Sequence, residues 1–265
     1  MHSKRYSLNE FLAILISRQI LNGTLVWVGT SSDIPRAGAI LANLLHAPDS
    51  RIILGLDVYN FHDLKPGEVS FKGLTSTQAA SRYHLETLDL VWVFDNIPLI
   101  DFFVIGGIEV DRFGNTNLMG IYDSDGKLKT KGPGPIGAAS MASSAKEYVI
   151  FMNRHSRSTF VERVSFRSAF GFGYGFDNRE KLGLVGNGPK CLISPLGVFT
   201  FPKPARGMKL QSVRPGVMIE QIIDRTGFDL VTTGNEPFTV EPSEMELDIL
   251  RSKVDPSGEL RVSVE

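Results

Sequence analysis

The chain has almost no cysteine, no charge imbalance and no long apolar run, and each absence excludes a class of protein. Cys191 is the single cysteine among 265 residues, so an intrachain disulfide is excluded and nothing points to an oxidising compartment. The formal net charge of −1 gives no electrostatic reason to expect nucleic acid as a partner. Cys191 stands in the apolar segment KCLI, where a small buried residue is predicted.

The apolar segments are too short to cross a membrane, which takes ~18 or more consecutive apolar residues. The segment Phe11–Ile16 follows two basic residues, but no small-residue cleavage site comes after it, so a signal peptide is not predicted. An amphipathic helix fits better, because Ser7 and Glu10 match a capping box and Asn22-Gly23 matches a stop signal. We therefore predict a cytoplasmic protein without a membrane partner.

Several well-known functional motifs are also missing. The sequence has no P-loop, no Gly-x-Ser-x-Gly, no His-Glu-x-x-His and no Cys-x-x-Cys. Its five histidines are scattered, so no metal site is predicted. The segment GTSSD, residues 29–33, lies between a predicted strand and a predicted helix but does not match a dinucleotide fingerprint. It is either an ordinary turn, with Asp33 near a helix start, or a ligand contact.

What the sequence does contain is an alternation of apolar strands and helices, with a hydrophobic content of 42% that can form a sizeable core. Helices are predicted over residues 8–21, 36–46 and 137–146. Strands are predicted over residues 24–28, 51–56, 102–105 and 147–152. Such alternation is typical of βαβ units and a mainly parallel sheet.

The C-terminal third has a different texture. Strand-like segments predominate after about residue 160, namely FVERVSF, CLISPLGVFTF and GFDLVTT. Two more helices are predicted, one over residues 217–226 and one opened by Pro242-Ser243. No linker, repeat or low-complexity tract divides the chain. We predict one α/β domain over residues 1–265, with an open, mainly parallel sheet and a more β-rich C-terminal third.

Two glycine-rich stretches follow or precede predicted elements. GGIEVDRFGNTN, residues 106–117, places two glycines before acids and amides at the end of a strand. KGPGPIGAASMASSAK, residues 131–146, places glycines before a helix of small residues, where bare backbone amides attract anions and oxyanions. The second stretch is either such a site or a close-packed connection without a ligand.

Two further segments each allow two interpretations. NRHSR, residues 153–157, is either a solvated turn or a contact for a ligand phosphate, because it concentrates two arginines and a histidine. GFGYGFDN, residues 171–178, is either a mobile loop on a binding face or a tightly packed turn.

Taken in order, these segments resemble the β subunit of type I CoA-transferases, especially glutaconate CoA-transferase. The resemblance covers about residues 20–230 and is carried by GGIEVDRFGNTN, GPGPIGAASMASSAK, FVERVSF, GPKCLISPLGVFTF and RPGVMIEQIIDRTGF. It implies an open α/β fold and CoA-thioester chemistry without a further cofactor. It also implies that the partner is an obligatory homologous α subunit, in an α2β2 heterotetramer, with the reaction in the cleft between the two kinds of chain.

The resemblance implies that the glycine-flanked acid and the Asn-containing turn help to line that cleft, because glycines let a thioester approach the backbone. The positions carried over as cleft candidates are Gly106, Gly107, Glu109, Asn115, Asn117, Gly134 and Gly137. For Glu109 the alternative is an ion pair with Arg112 that only holds the turn.

One departure from the family pattern concerns the nucleophile. The transferases carry a nucleophilic glutamate where this sequence has Gly55, and glycine can form neither an acyl anhydride nor an enzyme–CoA thioester. The sequence also departs from the family pattern Gly-x-Gly-Gly-Ala-x-Asp, because it has Ile136 in place of a glycine and Ser140 in place of the aspartate. Asp57 is a candidate substitute, since strand alternation would put it on the same face as Gly55, or it caps a turn.

The loss of the glutamate fits a hydrolase branch of the family. The sequence is similar to the β subunit of the actinobacterial hydrolase that opens the last steroid ring in cholesterol degradation. This implies C–C hydrolysis of a cyclic β-keto CoA thioester, with no certain catalytic residue in this chain and the general base in the α subunit. The two alternatives are a CoA-transferase and a non-catalytic chain that only stabilises its partner.

Overall fold

The computed structural model describes residues 6–29, 32–66, 68, 71, 82–174, 177–202 and 207–262. The chain forms two compact units, the first made of Met1–Asn96 with Val240–Glu265 and the second of Ile97–Thr239. That residues 1–265 act as a single domain stays a prediction.

The secondary structure alternates along the chain as follows. The helices are α1 (Leu8–Ser17), α2 (Asp33–Leu45), α3 (Leu90–Asp95), α4 (Ala138–Ser144), α5 (Asp177–Lys181), α6 (Ile219–Arg225) and α7 (Glu244–Ile249). The strands are β1 (Leu25–Val28), β2 (Arg51–Leu54), β3 (Asp57–Tyr59), β4 (His84–Thr87), β5 (Phe102–Gly106), β6 (Glu109–Asp111), β7 (Thr116–Asn117), β8 (Gly120–Tyr122), β9 (Leu128–Lys131), β10 (Glu147–Phe151), β11 (Phe160–Val161), β12 (Pro189–Ser194), β13 (Gly197–Thr200) and β14 (Lys209–Val213). Shorter helical turns cover Ile97–Leu99, Leu250–Val254 and Glu259–Arg261.

The first unit has four strands in the order β1-β2-β3-β4. β1 and β2 are parallel, and the other two pairs are antiparallel. Helix α1 begins with the predicted capping box, in which Ser7 Oγ accepts from Glu10 N and Glu10 Oε2 accepts from Ser7 N. Glu10 is buried and also receives two hydrogen bonds from Arg251, which ties the C-terminal segment to α1.

The second unit has five strands in the order β14-β13-β12-β10-β5. β5, β10 and β12 are parallel and almost wholly buried, as their runs of Val, Ile and Phe predict. β13 and β14 continue this set as antiparallel neighbours. Two small sheets stand apart, one in the order β11-β6-β7 and one formed by the hairpin β8-β9. The predicted α/β class with an open sheet is confirmed, and the antiparallel pairs make the sheet a mixed one.

Several predicted boundaries differ from the structure. Helix α1 ends at Ser17, so the predicted stop at Asn22-Gly23 is wrong, and Gly23 instead forms the turn before β1 with φ +74°. The segment FVERVSF contributes only the two residues of β11. GFDLVTT forms no strand, and a single bridge joins Val231 to Lys209. The segment CLISPLGVFTF is confirmed as strand, split by a turn into β12 and β13.

The helices of the described ranges are short, and none of them is both long and apolar enough to cross a membrane.

Candidate active site

Gly55, which stands where the transferases carry their nucleophilic glutamate, lies in a hairpin turn of the first unit. The strand predicted over residues 51–56 is confirmed only as far as Leu54, where β2 ends; the chain then turns, and β3 pairs antiparallel with β2 from Asp57 onward. Gly55 is in the two-residue turn between them with φ +70°, a left-handed conformation that L side chains avoid. Gly55 and Asp57 therefore do not lie on one face of a single strand, and the turn itself requires the glycine at position 55.

Asp57 lies directly after that turn and faces strand β4. Its Oδ1 accepts a hydrogen bond from Thr87 Oγ1 at 2.6 Å and lies 3.4 Å from His84 Nε2. The Asp57 side chain is 36% exposed, and no partner of its second oxygen, Oδ2, is found in the part of the chain that the structure describes. One carboxylate oxygen is thus held in place while the other is available.

In the second unit, Gly106 ends β5 and Gly107 follows it. A side chain at Gly107 would meet Glu109 O at 2.9 Å and the Thr116 side chain at 3.3 Å, so the close approach of β6 and β7 needs a glycine there. Gly106 has more room, with Phe151 O at 3.6 Å as its nearest neighbour. Packing of the chain around the strand end therefore requires a glycine at position 107 but not at position 106, and the role of both in lining a cleft stays a prediction.

Glu109 is buried, with 4% of its surface exposed, and its carboxylate is fully engaged. Oε2 accepts from Asn117 Nδ2 at 2.7 Å and from Ser165 N at 2.8 Å, and Oε1 accepts from Ser165 Oγ at 2.8 Å. The predicted alternative, an ion pair with Arg112, is wrong, because Arg112 instead lies 3.4 Å from Glu162. Glu109 does hold a turn, but through Asn117 and Ser165.

The two asparagines of this stretch are buried in hydrogen-bond networks. Asn117 donates to Glu109 and to Gly120 O, and its Oδ1 accepts from two backbone N–H groups. Asn115 donates to Asp111 Oδ2 at 2.8 Å and to Gly173 O at 2.9 Å, while its Oδ1 accepts from Gly171 N at 3.0 Å. Their role in lining a cleft stays a prediction.

Asp111 is a functional candidate that the sequence pattern did not single out. It is 1% exposed, and its carboxylate accepts from the backbone N–H groups of Phe113 and Asn115 as well as from the Asn115 side chain. Burial raises the pKa of Asp111 to about 6, although these hydrogen bonds oppose the shift. The carboxylate holds the tight turn that begins the FGN segment.

The second glycine stretch lies beside the first. Gly134 N donates to Leu118 O at 2.9 Å, and a side chain at Gly132 would meet the same oxygen at 2.0 Å. Gly137 is the residue before α4, with φ +73°, and Ile136 beside it is 97% exposed. The second glycine stretch thus packs against Leu118, the residue directly after the first stretch. Helix α4 covers 138–144 rather than the predicted 137–146.

The NRHSR segment is a solvated turn only in part. Arg154 and Arg157 are exposed, as a solvated turn predicts, but His155 is buried. That the two arginines contact a ligand phosphate stays a prediction. His155 stacks on the Phe160 ring with centroids 3.6 Å apart, and its ring nitrogens contact the hydroxyls of Ser194 at 2.9 Å and Thr226 at 3.1 Å. Burial, assisted by the charge of Arg225, lowers the pKa of His155 to about 3.

Residues 171–173 of the GFGYGFDN segment are buried and tightly packed, whereas the Tyr174 side chain is exposed. Gly171 lies so close to the Gly114 backbone that a side chain would meet it at 2.4 Å. The buried guanidinium of Arg179 donates to the carbonyl oxygens of Phe170 and Gly171 next to this turn. Sequence reasoning missed Arg179, because nothing in its local pattern distinguishes it from an exposed helical arginine.

Three other sequence expectations concern small or absent features. Cys191 is confirmed as a buried residue, and burial raises the pKa of its thiol to about 12. In the GTSSD turn, residues 30 and 31 lie outside the described residues, and Asp33 opens α2. No three His, Cys, Asp or Glu side chains of the described ranges gather in a way that could hold a metal ion.

Comparison with known proteins identifies the family. The family model for coenzyme A transferase matches residues 10–225. The chain belongs to this family. It is 32% identical to the B subunit of 3-oxoadipate CoA-transferase from Pseudomonas knackmussii, over 93% of each chain. It is 28% identical to the B subunit of glutaconate CoA-transferase from Acidaminococcus fermentans, over 95% of this chain and 93% of the relative.

The chain is also similar to a solved transferase structure and, at lower identity, to a hydrolase subunit. The crystal structure of the Acidaminococcus fermentans glutaconate CoA-transferase covers 98% of both chains with a TM-score of 0.82 and 26% identity. The cholesterol ring-cleaving hydrolase IpdB subunit of Rhodococcus jostii is 24% identical over 93% of this chain and 92% of the relative. The family resemblance is thus confirmed, but the identities favour the transferases over the hydrolase branch that the sequence led us to expect.

Two substitutions at Glu109 should separate bracing from catalysis. A leucine leaves the three donors on the carboxylate without an acceptor and is expected to lower the free energy of unfolding by roughly 3 kcal/mol. A glutamine keeps two of these contacts and can donate to Ser165 Oγ, so the loss should be about 1 kcal/mol. Because the carboxylate is saturated by protein donors, turnover of the folded Glu109→Gln complex should stay within about twofold of wild type.

Urea unfolding and turnover measured on the same purified complex check this expectation. A stable Glu109→Gln complex whose turnover falls by ~10²-fold would assign the carboxylate to the chemistry instead.

Proposed function

We propose that this chain is the β subunit of a heteromeric enzyme that acts on CoA thioesters, and that the reaction is transfer of CoA between carboxylic acids. The observation that carries this proposal is the 32% identity, over nearly the whole chain, to one subunit of a CoA-transferase. The corresponding subunit of a second transferase matches over a similar length. Both relatives are named for dicarboxylic acids, so short dicarboxylic acids are the proposed acyl groups.

The proposed partner is a homologous α subunit, since each of these relatives is named as one subunit of its enzyme. An α2β2 heterotetramer in the cytoplasm remains part of this proposal. The cleft candidates of this chain would then meet the thioester only in the complex.

Transfer of this type needs a nucleophile, and Gly55 cannot supply one. We place Asp57 in that role. Its Oδ2 would attack the thioester carbonyl and expel CoA as the thiolate, leaving a mixed anhydride. The thiolate would then attack the Asp57 acyl carbon, releasing the first acid and forming an aspartyl–CoA thioester, and an acceptor carboxylate would reverse both steps. Thr87 supports this role, since its hydroxyl fixes the other oxygen, Oδ1, at 2.6 Å.

A second candidate is the hydrolase, and the absence of any side chain at Gly55 favours it. In that reaction water attacks a ring ketone, and a base in the partner together with an oxyanion hole is sufficient without a covalent acyl-enzyme. The relative of this kind is the 24% identical cholesterol ring-cleaving hydrolase subunit.

The two candidates are separated by trapping the covalent intermediate. The complex copurified with its α subunit is incubated with a CoA thioester in the absence of an acceptor acid, and each chain is weighed by intact mass. We expect a CoA adduct on this chain that borohydride and hydroxylamine remove. Asp57→Asn should abolish the adduct and lower CoA exchange by ~10³-fold or more, as loss of a nucleophile does.

Asp63→Asn is the matched control, because Asp63 is an exposed acid of the same unit with only a 3.5 Å contact to His62. It should leave the adduct and the exchange rate unchanged. An adduct on the partner chain would remove Asp57 from the mechanism. Consumption of the thioester without acceptor and without any adduct would establish the hydrolase and overturn the transferase.

A further inference from the structure

Two arginines of the second unit lie over aromatic rings that touch each other. Arg112 Cζ is 5.4 Å from the centre of the Phe113 ring, and Arg163 Cζ is 5.1 Å from the centre of the Tyr174 ring. Phe113 and Tyr174 are in edge-to-face contact, with centroids 6.2 Å apart and planes at 86°. These four side chains, Arg112, Phe113, Arg163 and Tyr174, form one continuous patch, named here the basic–aromatic surface.

The backbone beneath this surface is held firmly. Phe172 N donates to Phe113 O at 2.9 Å, which joins the two turns that carry the aromatic rings. Asn115 bridges the same turns through its hydrogen bonds to Gly171 and Gly173. Because Gly171 packs directly on Gly114, neither turn can move apart without breaking these contacts. The four side chains therefore stand on a rigid base, as a preformed binding site requires.

The surface is exposed and carries excess positive charge. Tyr174 is 55% exposed, Arg163 is exposed and Arg112 is partly so. Arg112 has one acidic neighbour, Glu162, at 3.4 Å. In the part of the chain that the structure describes, no carboxylate lies within ion-pair distance of Arg163. Arg167 is also exposed; it lies over the Phe170 ring at 4.8 Å, and its charge acts on the buried Asp111 carboxylate.

We propose that the basic–aromatic surface binds the nucleotide end of the CoA thioester, an inference that rests on the proposed function. Guanidinium groups bind phosphate through paired hydrogen bonds, and an exposed aromatic ring stacks a nucleobase. The adenine would lie on the exposed Tyr174 ring, and Arg112 and Arg163 would contact the phosphates. Arg112 and Phe113 belong to the stretch that the family resemblance implies lines the cleft, which supports a CoA ligand at this surface.

Binding of adenosine 3′,5′-bisphosphate to the copurified complex tests this surface without any need for activity. Calorimetric titration should show its Kd rising about 10-fold for Arg163→Met and again for Tyr174→Leu, the usual loss on removing one charge-assisted contact or one stacked base. Arg82→Met is the matched control, because Arg82 also lies over a tyrosine, Tyr83, at 5.7 Å, but in the first unit. It should leave the Kd unchanged.

The kinetic form of the test uses two substrates. With an acyl-CoA, Arg163→Met and Tyr174→Leu should each raise KM about 10-fold at unchanged kcat. An acyl N-acetylcysteamine thioester lacks the nucleotide, so its KM and kcat should be the same for the variants and for wild type. Wild-type affinity of both variants for adenosine 3′,5′-bisphosphate would overturn the proposal, whatever the reaction is. Loss of copurification of either variant with the partner would also overturn it, and would show that the surface contacts the partner. If the nucleotide binds as expected but no CoA is transferred, only the proposed function fails.

Discussion

Replacement of Arg179 by methionine is expected to lower the free energy of unfolding by roughly 3–5 kcal/mol, because several buried carbonyl groups lose their donors. Arg179 is 5% exposed and donates six hydrogen bonds. Its acceptors are the carbonyl oxygens of Ala142, Ser143, Phe170, Gly171 and Gly186. The guanidinium thus joins the end of α4, the turn beneath the basic–aromatic surface and the loop before β12.

Urea and thermal unfolding of the copurified complex measure this loss. For a chain of this size, the expected change corresponds to a Tm lower by roughly 10 °C. Arg179→Lys should be intermediate, since an ammonium keeps the charge but offers three donors instead of five and no planar fork. Arg154→Met is the control, because Arg154 is exposed and its side chain has no hydrogen bond in the described structure. Equal stability of Arg179→Met and Arg154→Met would refute a bracing role.

Mild acid is expected to destabilise the second unit through His155. The folded pKa of about 3 lies below the ordinary value of 6.5, so the unfolded chain binds more protons in this range. The stabilisation from neutral His155 is complete above about pH 6.5 and is lost as the pH falls toward 3, by about 1.4 kcal/mol per pH unit. Between pH 6.5 and 4.5 the loss should be roughly 2–3 kcal/mol.

The surroundings of His155 explain why it stays neutral. Thr226 donates its own hydroxyl proton to Ile222 O, so its oxygen can only accept from His155 Nε2–H. Nδ1 is then left to accept from the Ser194 hydroxyl. A second proton would put a charge between the Phe160 ring and the buried strands, with Arg225 as a repelling neighbour.

His155→Gln isolates this contribution, because glutamine can accept and donate but does not titrate. The variant is expected to be less stable than wild type at pH 7.5, and the difference should shrink as the pH is lowered to 4.5. Asp111 acts in the opposite sense, because its folded pKa of about 6 lies above its ordinary value of 3.8. Its contribution to the free energy of unfolding therefore becomes more favourable as the pH falls through 6. Taking the difference between wild type and variant cancels Asp111. Parallel stability curves across this range would mean that His155 does not titrate as expected.

The family and the α/β class could be predicted from the sequence because they depend on local patterns. Apolar runs separated by helical segments gave β1, α2, β5 and β10 close to their observed positions. The capping box at Ser7 and the helix start at Ser243 are both confirmed, since each cap involves residues only three positions apart. The burial of Cys191 followed from its apolar neighbours in the same strand.

Other features depended on partners far along the chain, and only the tertiary structure decided them. Glu109 binds Ser165, which is 56 positions away, so local spacing favoured the wrong partner, Arg112. His155 is buried because β12 and the end of α6 meet over it.

Gly55, at the position of the family's nucleophile, illustrates both what the sequence determines and what only the tertiary structure decides. The sequence by itself determined that Gly55 has no side chain to react. Strand pairing decided that the chain turns at Gly55, between β2 and β3. It also decided that Asp57 faces Thr87 in the antiparallel pair of β3 and β4. Pairing register is a property of two segments together, and a strand pattern read along one segment cannot contain it.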